Sequence, residues 1–214
     1  DARLTGFRCA RAACHSPAAV VSLESGTCSS CTKPYSRGSN HLRQVYLQAA
    51  ERLQSGETAY KQGRHGNARD ILESLLQDFG SVLYRSHLVI YSSLHHLTSL
   101  CVELGDGLAA GNYCRRAISC LEEMFPRYHT ETAMMHRELA HIEWRLATGR
   151  GKQDTTNKTA ASQRKPSSEA RRSRAVAEFN KALEIVEVCY GPERDIYQQL
   201  LKAKAACADG NDAP

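Results

Sequence analysis

Gly63-Arg64-His65-Gly66-Asn67-Ala68-Arg69-Asp70-Ile71-Leu72-Glu73-Ser74-Leu75 decides how this chain folds, because its skeleton returns twice. Ala68-x3-Leu72-x2-Leu75 recurs as Ala110-x3-Cys114-x2-Ala117, and again as Ala175-x3-Phe179-x2-Ala182. Steps of four and three place all three residues of each set on one helical face. In the first two sets a glycine, Gly63 or Gly105, stands five residues before the alanine. A glycine there ends one helix and lets the chain turn into the next. The small alanine allows paired helices to approach, and the larger residue four on fills the groove between them.

Working outward, the chain from Asn40 on reads as about seven helices with apolar residues at three- and four-residue steps. Leu42, Val45, Ala49 and Leu53 make one expected stripe; Leu88, Tyr91, Leu94, Thr98 and Cys101 make another. Stops are expected at Gly80, at Pro126 and at Gly191-Pro192. The spacing belongs to tetratricopeptide-like hairpins, which stack because no single hairpin buries its own apolar face. An ordinary all-helical bundle is the alternative. The fold class is therefore all-α, with tetratricopeptide-like hairpin repeats preceded by a small zinc ribbon. The expected domains are a ribbon at 1–38, repeats at 39–149, a basic disordered insertion at 150–172, a last hairpin at 173–208 and a tail at 209–214.

The ribbon rests on Cys9-x4-Cys14 and Cys28-x2-Cys31. Two close pairs joined by a short loop make a ligand set that one tetrahedral zinc closes, and four thiolates leave no open position for water or substrate. Cys9, Cys14, Cys28 and Cys31 are the expected ligands, with His15 a possible substitute. Free thiols, or disulfides in a secreted domain, are the other readings. Zinc is preferred because the remaining five cysteines sit singly in helical patterns, as intracellular core cysteines do. Cys28→Ser is expected to release zinc and loosen the ribbon while leaving most of the helical signal.

The chain has 214 residues and a formal charge of +5, with 28 Lys and Arg against 23 Asp and Glu. Thr148–Arg174 alone accounts for all of that excess, with eight Lys and Arg against Asp154 and Glu169; it has almost no large apolar residue, and most of it is expected to stay disordered. It lacks the aromatic residues that stack bases, so a nucleic-acid role is set aside. No apolar run is long enough to span a bilayer, and no membrane partner is expected. Asp1–Phe7 begins without Met and carries no secretory pattern, so the chain is read as a fragment of a longer protein. His136, Glu138 and His141 have the wrong spacing for a zinc protease helix and are expected on the surface or in a groove. Of His95-His96 at most one is expected buried, and Trp144 is expected to pack. Lys61, Arg64, Asn67 and Arg69 are candidates for a peptide-carboxylate clamp, although most sit at a turn. No nucleophile–base pair stands out, and no catalytic residue is expected.

The order of several motifs resembles the C-terminal part of the SET-and-MYND-domain protein-lysine methyltransferases, the member-4 type most closely. They are Phe7-Arg8-Cys9 through Cys14, Cys28-Ser29-Ser30-Cys31 and Leu104-Gly105-Asp106. Tyr113 to Ala117, Arg137 to Ala140 and Ala182-Leu183-Glu184 leading to Cys189-Tyr190-Gly191-Pro192 complete the set. The family's post-SET Cys-x-Cys-x2-Cys pattern does not occur in this chain, so the cysteine pairs resemble the ribbon that follows it. The SET core and MYND finger are likewise outside this sequence. The resemblance implies a parent enzyme that moves a methyl group from S-adenosylmethionine to a protein lysine, in nucleus and cytoplasm. It also implies that this region is non-catalytic and governs substrate access or binds a partner. Its implied partners are the SET domain of the same chain and a protein or peptide in the helical groove. The alternative is a stand-alone adaptor with a structural zinc.

Overall fold

A computed structural model describes residues 2–11, 13, 14, 16, 19–35, 38–149 and 166–210. His15 and residues 150–165, the greater part of the expected insertion, lie outside the described residues. The described residues are mainly helical: one turn, α1 (Ala2–Thr5), then α2 (Gly38–Lys61), α3 (His65–Phe79), α4 (Leu88–Leu104), α5 (Gly107–Met124), α6 (Thr130–Ala147), α7 (Ser168–Tyr190) and α8 (Asp195–Asp209). Two short strands, β1 (Phe7–Arg8) and β2 (Val20–Val21), pair antiparallel with Phe7 opposite Val21 and Arg8 opposite Val20. The chain divides into two compact units at residue 97, inside α4.

In the first unit the ribbon is not a free-standing module. The Arg8 amide donates to the Val82 carbonyl (2.9 Å), the Tyr84 amide to Gly6 (3.0 Å), and Arg8 Nε to Leu83 (3.1 Å). Phe7 is fully buried, with its ring edge toward His87 at a centroid distance of 6.4 Å. These bonds tie residues 6–8 to the segment between α3 and α4, about eighty positions on. The α2–α3 hairpin turns at Gly63 (φ +71°). Its closest approach uses a residue the repeat did not reveal. A Cβ at Gly56 would lie 2.7 Å from a Leu72 methyl, so Leu72 fills space that Gly56 leaves open. Leu42, Ala49, Gly56 and Ala59 form the buried stripe of α2, whereas Leu53 is only half-buried. In α4, Leu88 of the expected stripe is 50% exposed. Its first turn directs Val89 and Ile90 inward instead.

In the second unit, α6, α7 and α8 share a core around Phe179, with Ala133, Ala140, Trp144, Ala182 and Leu200. The expected stops are where the helices end: Gly80 caps α3, Pro126 follows the Phe125 cap of α5, and Gly191 (φ +84°) caps α7. Gly149 (φ +71°) follows α6 as Gly63 follows α2, supplying the turn glycine that the third set lacked at the expected distance.

The helix α7 begins earlier than expected, at Ser168 inside the stretch assigned to the insertion. Ser167 caps it by accepting from the Ala170 amide (3.1 Å), and Glu169 places negative charge at its positive end. Its arginines are not merely solvated. Arg171 reaches the buried Glu143 (3.4 Å), and Arg172 lies over the Trp144 ring (5.8 Å). A run of cations read as too polar to fold thus has an acidic and an aromatic anchor supplied by α6.

Candidate metal centre

Cys9 follows β1 directly, and Cys28 and Cys31 flank a tight turn after β2. Local hydrogen bonding builds that turn. The Cys28 amide donates to Lys33 (3.0 Å), the Thr32 amide to the Cys28 carbonyl (2.9 Å) and the Ser29 amide to Val20 (2.8 Å). Thr32 takes a left-handed conformation (φ +56°), and Gly26 (φ +66°) reverses the chain ahead of Thr27. The result gathers the sulfurs of Cys9, Cys14, Cys28 and Cys31 within 4.8 Å of one another. The shorter separations run crosswise: Cys9 Sγ to Cys31 Sγ is 3.9 Å, and Cys14 Sγ to Cys28 Sγ is 3.8 Å. Zinc–sulfur bonds of about 2.3 Å in a tetrahedron require sulfur–sulfur edges of about 3.8 Å, whereas a disulfide needs about 2.05 Å. All nine cysteines are free thiols.

The four thiols are not equivalent. Burial pushes the Cys14 thiol up to about 12, reinforced by its cysteine neighbours, and burial also raises Cys9. Burial pushes Cys28 upward too, but the Cys31 and Ser30 amides stabilise its thiolate and bring it down to about 7. Further amides point at sulfur, from Arg11 to Cys9 and from Ser16 to Cys14. Amide donors aimed at closely spaced sulfurs suit thiolates held by a cation, which draws off the protons that burial alone would retain. The donor set and spacing are compatible with zinc, and four sulfurs close its coordination shell.

Among the described residues this is the one cluster of three or more metal-ligating side chains. His136, Glu138 and His141 do not converge on a metal. His136 is only 3% exposed yet lines a cleft with Tyr128, Thr132 and Lys181, so it takes the groove position expected and not a surface one, and its Nδ1 lies 2.6 Å from Glu178. Burial raises the Glu178 carboxyl, yet the bonds from His136 and Lys181 outweigh that and hold it below the usual value. His141 is half-buried with its ring edge on Phe179 (5.2 Å). His95 is exposed, His96 half-buried and Trp144 buried, as expected. Cys101, Cys114, Cys120 and Cys207 are core residues. Of the clamp candidates, Arg64 donates to Gln62 and Arg69 to Glu73 (2.8 Å), so both guanidinium groups already have local acceptors.

Sequence reasoning missed two buried titratable groups among the described residues. Glu143 pairs with Arg115 and Arg171 from flanking helices. His87 accepts from the Val89 amide (3.1 Å) and so caps α4 from its interior side, where burial drives its imidazole down to about 4. A signal existed for Glu143 alone: a lone acid amid Ile142 and Trp144 on a helix needs a partner. No family model matches this chain, and no curated protein matches it.

Proposed function

We propose that this chain is the zinc-ribbon and tetratricopeptide-like region of an S-adenosylmethionine-dependent protein-lysine methyltransferase, and that it is itself non-catalytic. The observation that carries the scaffold half is the fate of the repeat. Ala68, Leu72 and Leu75 on α3, Ala110, Cys114 and Ala117 on α5, and Ala175, Phe179 and Ala182 on α7 are all 0% exposed. Nine equivalent positions wholly buried on alternate helices are what stacked hairpins require. The cysteine tetrad supports a structural zinc, fixing a ribbon too small to have much core of its own. The methyltransferase half rests on the ordered motifs alone, and S-adenosylmethionine is assigned no residue of this chain. The helical region would limit substrate access or bind a protein partner.

An antibody against the helical region tests this reading on the endogenous protein. A band far above 23.7 kDa is expected, with lysine methylation by that full-length protein dependent on S-adenosylmethionine. A band near 23.7 kDa would overturn the enzyme half.

A further inference from the structure

A cleft of about 400 Å3 opens between α6 and α8 in the second unit. Arg137 and His141 enter its lining from α6, Gln199 and Lys202 from α8, and Ile196, Leu200 and Ala203 supply its apolar part. No carboxylate lines it, and neither Arg137 nor Lys202 has an ion-pair partner among the described residues. Arg115, Arg127, Arg171 and Lys181 of the same unit each lie on a glutamate, whereas Arg137 and Lys202, like Arg145 and Lys204, do not among the described residues; what distinguishes these two is that they share a cleft. Burial is the main cause holding the His141 imidazole below its ordinary value; Glu138 opposes this, and Arg137 and Arg145 add to it. The His141 imidazole and the Gln199 amide then offer hydrogen bonds beside two cations that make no ion pair among the described residues.

We propose that this cleft binds an amphipathic carboxylate, its head held by Arg137 and Lys202 and its short apolar group set on Ile196, Leu200 and Ala203. The volume suits a small ligand, and the mixture of an apolar wall with a few convergent polar groups is that of a binding site. The inference goes beyond the scaffold reading. It does not require an upstream catalytic half, and it is independent of zinc.

Two sources present this chemistry, a free short acid and a peptide ending in an apolar residue. Calorimetric titration of the intact chain uses 4-methylpentanoate, its neutral amide, and acetyl-Ala-Ala-Leu with a free or an amidated end. The acid and the free-ended peptide should bind saturably, each about tenfold or more tighter than its amide, because a charge-assisted contact contributes at least that factor. Arg137→Gln and Lys202→Gln should each weaken binding about tenfold with the helical spectrum unchanged, and Lys202→Arg should retain it. Tighter binding of the peptide assigns the source to a chain end, and tighter binding of the acid to a free metabolite-sized ligand; either upholds the site. Equal affinity for acid and amide, no saturable binding by acid or peptide, or unchanged affinity in both glutamine variants would overturn it.

Discussion

Glu143 is only 1% exposed, and it has Arg115 on one oxygen and Arg171 on the other. Arg115 is 45% exposed, so solvent screens its contact, whereas Arg171, at 11%, is largely buried. Glu143→Gln should still cost about 1–3 kcal/mol in urea unfolding, and a change of a few tenths would show that the contacts contribute nothing. His87 gives a pH signature of its own. Unfolded, its imidazole titrates near 6.5, and burial lowers this to about 4 in the fold. The fold favours the neutral form, so its contribution is complete above pH 6.5 and is lost as pH falls toward 4. Between pH 7.5 and 4.5 the native chain should lose about 2–3 kcal/mol more than His87→Asn, which keeps a cap without titrating in this range. Parallel losses in the two proteins would contradict this.

At the scale of elements, two glycines in the first hairpin should respond with opposite sign. Gly56→Ala drives a methyl into buried Leu72 and should destabilise by about 1 kcal/mol despite the better helix propensity. Gly66→Ala meets nothing within 4 Å and should stabilise by a few tenths to about 1 kcal/mol. A melting temperature that rises in Gly56→Ala would mean that the α2–α3 approach is not close. The sequence carried the second helix of this hairpin plainly, because Ala68, Leu72 and Leu75 repeat elsewhere. It did not reveal Gly56, since a glycine inside a helix looks like a defect until its neighbour is known. The start of α7 was hidden for the same kind of reason. Arg171 and Arg172 are polar by composition, and only Glu143 and Trp144, nearly thirty positions away, make them part of a folded unit. The cysteine tetrad was legible because its chemistry depends on residue type and short spacing. Its hydrogen bonds to residues 82–84 were not, because strand pairing across more than seventy residues leaves no local pattern.

At the scale of the whole molecule, the ribbon's attachment makes metal loss a matter for the first unit and not for the ribbon alone. Chelation should therefore raise hydrogen exchange at residues 82–91, which follow or receive the bonds from residues 6–8, while the buried rows of α7 stay protected. Exchange confined to residues 7–35 would mean that the ribbon moves independently of the helices. The centre itself is tested most directly by native mass spectrometry, with elemental analysis, of the purified chain and of Cys28→Ser. About one zinc per chain in the first and a large loss in the second is the predicted result. A chain that carries no metal under reducing conditions, or one whose four cysteines are found as two disulfides, would contradict it.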